Sequence, residues 1–316
     1  MKLSLTLAAI ALYITGSACN DHLYRLALNQ RSFYNPAALC PYCKGSYFLS
    51  AGLDFSPDVV GYGEFYAFGD DGKNKMHGPW DAAYYHSSSS GLDMNSYSFR
   101  YAYEKNLAYG WRVSAGIRAS FMQVQKQFFH EGVSQKMGTS FADLDAGIFV
   151  TNQEGFYVGL SAQHLPAFSK TLQTGEEQSK ISMNRVYGMN AGGVIPVCDL
   201  FDIMVEGNGV CDSSEYSSQL NAMVRFFSVV GVGGGVTYSQ KNIPEYELRG
   251  GITSTAFKFL ASMEFTPQGK QIEMGMVMRF ERDGGLRFLS TPCTGGTCSA
   301  PKAHKKKKKD EFNPHA

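Results

Sequence analysis

Six cysteines form three pairs that could support disulfide, redox or metal chemistry. Cys40-Pro-Tyr-Cys43 has the Cys-x-x-Cys spacing of redox sites, and together with Cys293 and Cys298 it could also offer four thiolates to zinc. A redox motif should begin a helix within a βαβ unit, and the sequence indicates no such unit there. In an exported protein, disulfides are the stronger expectation, with fifteen connectivities open to six cysteines. The candidates are Cys40, Cys43, Cys198, Cys211, Cys293 and Cys298.

Five histidines could act as general bases, but none belongs to a recognisable catalytic motif. No Gly-x-Ser-x-Gly nucleophile elbow is present in the sequence. Pairs such as His86 with Asp81, or His164 with a serine, cannot be placed at one site, and catalysis needs its groups within hydrogen-bond reach. We therefore predict that the protein is not an enzyme and has no cofactor. The histidines considered are His22, His77, His86, His130 and His164.

A run of five lysines lies close to the end of the sequence. Like charges in a block repel one another, so residues 282–316 are predicted to form a solvated tail. The same charges could bind an acidic partner protein or phosphate-bearing lipid head groups through salt-sensitive contacts. Nucleic acid is not an expected partner of an exported protein. The run consists of Lys305, Lys306, Lys307, Lys308 and Lys309.

The first eighteen residues have the pattern of an export signal. Lys2 precedes a largely apolar run from Leu3 to Ile14, and Gly16-Ser17-Ala18 provides a small-residue cleavage site. The apolar run is too short to span a bilayer as a helix. Cys19 would be the first mature residue and is an alternative lipidation site, although Gly16 stands where a lipoprotein signal prefers an aliphatic residue.

A period of two dominates the sequence from residue 46 to residue 281. Between residues 111 and 121, for example, apolar side chains occupy odd positions, while even positions carry Arg, Ser and Gly. Such alternation predicts strands with one apolar and one polar face. The segments run to about 9–13 residues, which is longer than typical sandwich strands and close to the length that crosses a bilayer at a tilt. They therefore indicate strands of a membrane barrel.

Fourteen such segments predict an all-β, closed, antiparallel transmembrane β-barrel of about fourteen strands over residues 46–281. Its even strand number would place both chain ends in the periplasm and make the outward loops long, as around 125–141 and 166–183. The segments are 46–55, 60–68, 79–87, 95–104, 111–124, 142–151, 155–165, 184–197, 200–209, 217–227, 229–239, 245–254, 257–266 and 272–281.

Two consequences of this barrel remain open at the level of sequence. If 200–209 spans the membrane, Cys198 and Cys211 lie at opposite ends of a strand and cannot bond to each other. Lumen-facing charges could line a pore or cross-link it shut, because a fourteen-stranded barrel is intermediate between filled and water-conducting barrels. These charges are Arg112, Arg118, Lys258, Glu264, Glu273 and Arg279.

The segment from residue 19 to residue 45 is long enough to occupy the lumen as a plug. It contains an Asn-Pro-Ala sequence, and Asn-Pro is a turn signal because proline restricts the residue before it while Asn can bond to nearby backbone. We predict a structural role for Asn29, Tyr34, Asn35, Pro36 and Ala37 in shaping this segment.

The sequence resembles the PorP/SprF family of type IX secretion system outer-membrane proteins of the Bacteroidota. The resemblance extends from Asn20 to Phe280, whereas the tail beyond and the cysteines are not general features of the family. The stretches that carry it are Asn20-Asp21, Leu28-Asn29, Phe33–Ala37, Gly45, Asp143–Phe149, Phe156–Ser161, His164-Leu165, Arg185–Val194, 229–238 and 257–265.

This resemblance implies a non-catalytic outer-membrane component that couples the secretion machinery, or surface adhesins, to the outer membrane. The implied partners are outer-membrane lipids, a peptidoglycan-binding OmpA-like protein and periplasmic ring proteins, or the adhesins themselves. A porin or a transporter of apolar substrates is the alternative function. Conductance of the purified barrel would distinguish the two.

Overall fold

The computed structural model describes the barrel strands with some of their connections, a separate hairpin and one short segment that precedes the strands. No helix among the described residues is long and apolar enough to cross a membrane. The described residues are 35–38, 46–56, 61–70, 78–89, 92–130, 133–152, 155–174, 177–198, 200–212, 216–227, 229–239, 244–253, 257–266 and 269–281.

Several predictions fall on residues outside these ranges and stay predictions. They concern the export signal 1–18, Cys19, Asn29, Tyr34, Cys40, Cys43, Cys293, Cys298 and the lysine run Lys305–Lys309.

Fourteen antiparallel strands form a closed barrel, and two further strands form a separate hairpin. Each barrel strand pairs with its neighbours along the chain, β7 pairs with β10, and β1 closes the barrel against β16. The strands are β1 (Ser46–Ser56), β2 (Gly61–Asp70), β3 (Trp80–Ser89), β4 (Leu92–Asn106), β5 (Arg112–His130), β6 (Val133–Thr151), β7 (Tyr157–Gln163), β8 (Phe168–Thr174), β9 (Glu177–Met183), β10 (Val186–Cys198), β11 (Phe201–Cys211), β12 (Tyr216–Phe226), β13 (Val230–Ser239), β14 (Glu245–Thr253), β15 (Phe257–Thr266) and β16 (Gly269–Glu281).

The predicted fold is confirmed, since each of the fourteen predicted segments overlaps one barrel strand. The prediction of disulfides is wrong for Cys198 and Cys211, which are both free thiols. As expected for a membrane-spanning strand over 200–209, they cannot bond to each other: Cys198 pairs with Phe201 at the start of β11, whereas Cys211 is the last residue of β11 and pairs with Tyr187. The two cysteines are therefore separated by the length of a strand.

The long loop predicted around 125–141 is also wrong. β5 and β6 are both 19 residues long and remain in register up to the pair His130 and Val133. Within this stretch the polarity of the two faces is reversed, because the outward Gln125 and Ser140 are polar and exposed while the inward Phe141 is apolar and buried. The sequence therefore loses its apolar outward face in this region while the strand itself continues.

The second predicted long loop, around 166–183, contains the hairpin of β8 and β9. The connection between barrel strands β7 and β10 is long, as predicted, but it has regular structure. It forms a two-stranded sheet of its own that is not part of the barrel wall.

The outer face of the barrel carries large apolar side chains, as the alternation predicted. On β5, Ile117 and Phe121 are 56% and 45% exposed, whereas the inward-facing Ser114 and Met122 are 5% and 2% exposed. The outward rings of Tyr66, Tyr84 and Tyr97 form one row of ring contacts across β2, β3 and β4. An apolar exterior with aromatic rows is typical of a barrel surrounded by lipid.

Inside the barrel, opposite charges pair along the wall. Three Arg–Asp ion pairs join residues that lie directly opposite each other on adjacent strands, which is where side chains on one face of a sheet meet. The pairs are Arg100 with Asp81, Arg118 with Asp145 and Arg225 with Asp202. These charges therefore hold neighbouring strands in register and do not reach across the lumen.

Candidate functional site: the occupied lumen

The segment Asn35-Pro36-Ala37-Ala38 forms a turn that lies in the lumen, against the inner face of the barrel wall. The Ala37 N–H donates to Asn35 Oδ1 at 2.9 Å, and the Ala38 N–H donates to the Asn35 carbonyl at 2.9 Å. The turn is thus stabilised by its own first side chain, as expected of an Asn that precedes Pro. Asn35 and Ala37 are both fully buried.

The amide of Asn35 attaches this turn to three strands. Its Nδ2 donates to the carbonyl oxygens of Ile148 on β6 at 2.9 Å and Leu160 on β7 at 3.1 Å. Asn190 Oδ1 on β10 lies 3.4 Å from the same nitrogen. Ser114 Oγ on β5 donates to the Ala37 carbonyl at 2.7 Å. Side chains and main-chain groups from four consecutive wall strands therefore bind Asn35 and Ala37 of the turn.

Lumen-facing glycines give the turn access to the wall. A Cβ on Gly159 would lie 2.5 Å from Asn35 Nδ2, and a Cβ on Gly116 would lie 2.6 Å from Ala37 Cα. A Cβ on Gly147 would overlap Asn35 Oδ1. Glycine within a strand commonly marks the close approach of another backbone, and that is its use here. We call Gly116, Gly147 and Gly159, with Ser114 and Asn190, the glycine notch.

Aromatic packing completes the notch. Phe149 and Tyr157 stack with their ring centroids 5.4 Å apart, and they form one buried cluster with Ala37 and Ala38.

The turn lies towards the end of the barrel that contains Ser46 and Glu281, which we call the proximal end.

The opposite end of the lumen, which contains His130 and Val133 and which we call the distal end, is occupied by the hairpin of β8 and β9. The rings of Phe168 and Phe141 stack with centroids 4.3 Å apart. Ile181 and Met183 pack against the same cluster. The buried members of this cluster come from β2, β3, β5, β6 and β16. The hairpin therefore packs against a cluster that extends over a broad part of the wall. Its buried members are Ala67, Tyr85, Met122, Val124, Phe141 and Val277.

The hairpin departs from the wall at His164, which has a left-handed backbone with φ of 52°. The His164 N–H donates to Asp145 at 2.8 Å, and His164 Nδ1 lies 2.7 Å from Asp143. The N–H of Leu165 donates to the Leu144 carbonyl at 3.0 Å. Left-handed backbone is unfavourable for a non-glycine residue and persists only where surrounding contacts hold it. These bonds therefore fix the direction in which the hairpin leaves β7.

Asp143, Asp145 and His164 also present their ligand-type atoms within 4.8 Å of one another. This is the spacing of a metal site, but the partners already present account for the cluster. Arg118 pairs with Asp145, and His164 binds both carboxylates. The arrangement is a buried hydrogen-bond network at the base of the hairpin.

The structure brings together only part of the predicted set of site residues. Asn35, Pro36 and Ala37 lie in the lumen, and Arg118 is part of the wall network. Sequence reasoning missed the glycine notch and the hairpin. Glycines at lumen-facing positions of three neighbouring strands were the available signal for the notch.

A closed antiparallel barrel with an apolar exterior defines this protein as a membrane-spanning barrel of the bacterial outer-membrane class. A sequence model of the family described as "Type IX secretion system membrane protein PorP/SprF" matches residues 83–287, which is more than half of the chain. The chain belongs to this family. The match begins after the Asn-Pro-Ala turn and includes every residue of the glycine notch. No curated protein matches the chain.

Several solved barrels are similar to the chain in structure. The "CymD monoaromatic hydrocarbon channel" has 12% identity and a TM-score of 0.48, with 83% of this chain and 93% of that chain covered. The Pseudomonas putida toluene transporter TodX has 7% identity and a TM-score of 0.47, with coverages of 84% and 94%. Omp33 of Acinetobacter baumannii has 10% identity and a TM-score of 0.45, with coverages of 75% and 99%. Similarities this low do not bear on function.

Proposed function

We propose that the protein is a non-catalytic component of the type IX secretion system that anchors or couples the secretion machinery, or surface adhesins, to the outer membrane. In this role the barrel is a filled membrane anchor and not a conduit. Membership of the family supports the link to type IX secretion. The occupation of the lumen from both ends, by the Asn35 turn and by the hairpin, supports the structural role over the alternative of a porin or apolar-substrate transporter.

The wall charges agree with a filled barrel. Three Arg–Asp pairs, each joining adjacent strands, neutralise lumen-facing groups that a conducting pore would present to permeating ions. The buried His164 is bonded to Asp143 and Asp145 at the base of the hairpin, and its hydrogen bonds hold the backbone instead of serving a substrate. We therefore infer that these charged groups stabilise the barrel and do not bind a substrate or a permeating ion.

Conductance in planar bilayers tests the filled barrel. We expect the purified wild-type barrel to show no large, steady open events. A variant carrying Asn35→Ala and Phe168→Ala removes the amide contacts of the turn and the ring of the hairpin, so it should conduct more. Large, steady openings of the wild-type protein would contradict the anchor and favour a porin.

The partners are proposed to be periplasmic: a peptidoglycan-binding OmpA-like protein, the ring proteins or surface adhesins, with outer-membrane lipids around the barrel. We place both chain ends in the periplasm, where the lysine run 305–309 would contact an acidic partner. Crosslinked pull-down from intact cells tests this. Replacing the five lysines by Gln should weaken recovery at low salt, whereas replacing them by Arg should not. Equal recovery from both variants would refute a role for the tail.

A further inference from the structure

We propose that the glycine notch is a binding site for Asn-Pro turns, and that it accepts such a turn from a separate peptide as well as from its own chain. The ligand class is a short peptide turn with Asn first, Pro second and small residues third and fourth. This inference is independent of the proposed role in secretion, because it rests on the contacts of four residues with the wall.

The first position is selected by hydrogen-bond direction. Asn35 Nδ2 faces three acceptors, namely the carbonyls of Ile148 and Leu160 and the side-chain oxygen of Asn190. Asp has nearly the same shape but cannot donate, and its charge would face these oxygens in a buried position. Longer side chains are disfavoured because Gly147 and Gly159 lie against the Asn35 amide. The notch therefore distinguishes Asn from Asp.

The following positions are selected by space. Pro36 is among the fully buried side chains, and Gly116 lies against its carbonyl group. Ala37 and Ala38 are 0% and 7% exposed against the stacked rings of Phe149 and Tyr157. Larger side chains at these two positions would overpack the cluster. Ser114 Oγ donates to the main-chain carbonyl of Ala37, so this hydrogen bond does not select a side chain at that position.

The hydrogen bonds within the turn and those that form the notch involve separate parts of the chain. The two hydrogen bonds that define the turn lie within residues 35–38, whereas the notch is held by the strand ladder of β5, β6, β7 and β10. The amide contacts of Asn35 span 113 to 155 residues of sequence. A ligand that folds locally and a site formed by distant strands do not need a covalent link to recognise each other.

Peptide binding to the full-length Asn35→Asp chain in detergent tests the proposal, because this change weakens the chain's own turn and leaves the notch intact. The probe is a fluorescent synthetic peptide with the sequence of residues 32–39, Ser-Phe-Tyr-Asn-Pro-Ala-Ala-Leu. We expect saturable binding by anisotropy. The same peptide with Asp in place of Asn should bind at least about tenfold more weakly. The wild-type chain should bind the probe weakly, since its own turn competes.

Two glycine variants provide matched controls. Adding Gly147→Ala to the Asn35→Asp chain should abolish binding, because the new methyl group occupies the place of the ligand's Asn side chain. Adding Gly207→Ala should leave binding unchanged, because the nearest atom to a Cβ there is 3.9 Å away. Heat-modifiable migration on gels verifies that each variant is folded, and Asn35→Ala serves as a second host. Absent binding to both folded hosts, or equal binding of the Asn and Asp peptides, would overturn the proposal.

Discussion

The two ends of the lumen are occupied by different kinds of contact. At the proximal end, the Asn35 amide binds main-chain carbonyls and an amide oxygen, and glycines allow the close approach. At the distal end, Phe168 and its neighbours on the hairpin pack against an apolar cluster. Hydrogen bonds depend on the identity of single atoms, whereas apolar packing depends mainly on volume. The proximal end should therefore be specific and the distal end tolerant.

The largest effect is expected from Asn35→Asp. This change removes the donor that faces Ile148 and Leu160 and places a carboxylate among acceptors in a fully buried position. An unsatisfied buried polar group costs about 1–3 kcal/mol, and more if it is charged. Urea unfolding of the barrel in detergent should show this loss, with Asn106→Asp at an exposed strand end as the control. Equal midpoints for the two variants would contradict the hydrogen-bonded notch.

Gly147→Ala should come next. The added methyl group overlaps Asn35 Oδ1, and the turn must shift or leave the wall. Overpacking of this kind costs about 1–3 kcal/mol. Unfolding midpoints and proteolysis of the segment before residue 46 measure the change. Gly207→Ala on β11, where the nearest atom to an added Cβ is 3.9 Å away, should behave as wild type. If both alanines were equally harmless, the notch would not require glycine.

Phe168→Ala tests the distal end. It removes the ring that stacks on Phe141, and we expect a loss of about 1–3 kcal/mol, because Phe168 is only half-buried whereas fully buried Phe→Ala changes cost about 3–5 kcal/mol. Phe168→Leu keeps most of the volume and should cost less than about 1.5 kcal/mol. Limited proteolysis of the hairpin and bilayer conductance report the loosening. A Leu variant as damaged as the Ala variant would show that the distal end is as specific as the proximal end.

The smallest effect is expected from the coupling between the two ends. Ile148 and Phe141 are seven residues apart on β6, which corresponds to about 23 Å along a strand. Changes at such separations usually add to within about 0.3–0.5 kcal/mol. The variant that carries both Asn35→Ala and Phe168→Ala should therefore lose the sum of the two single losses in urea unfolding. A larger coupling energy would show that the turn and the hairpin respond to each other.

Sequence reasoning succeeded where the signal was local and periodic. The alternation at 111–121 and 272–280 identified barrel strands and their apolar outer faces, because each residue of a strand reports its face through its neighbours two positions away. The alternation fails beyond the apolar band. Within 125–141 the outward Gln125 and Ser140 are polar while the inward Phe141 is apolar, so that a continuing strand was predicted as a loop.

The amino-acid sequence by itself determined the barrel, the number of its strands and the presence of a turn at Asn35-Pro36. Only the tertiary structure decided where this turn lies, because Asn35 and Asn190 meet across 155 residues of sequence. The same holds for Cys198 and Cys211, whose separation follows from the register of β10 and β11. Local preferences determine a strand or a turn, whereas contacts across the lumen depend on the closure of all fourteen strands.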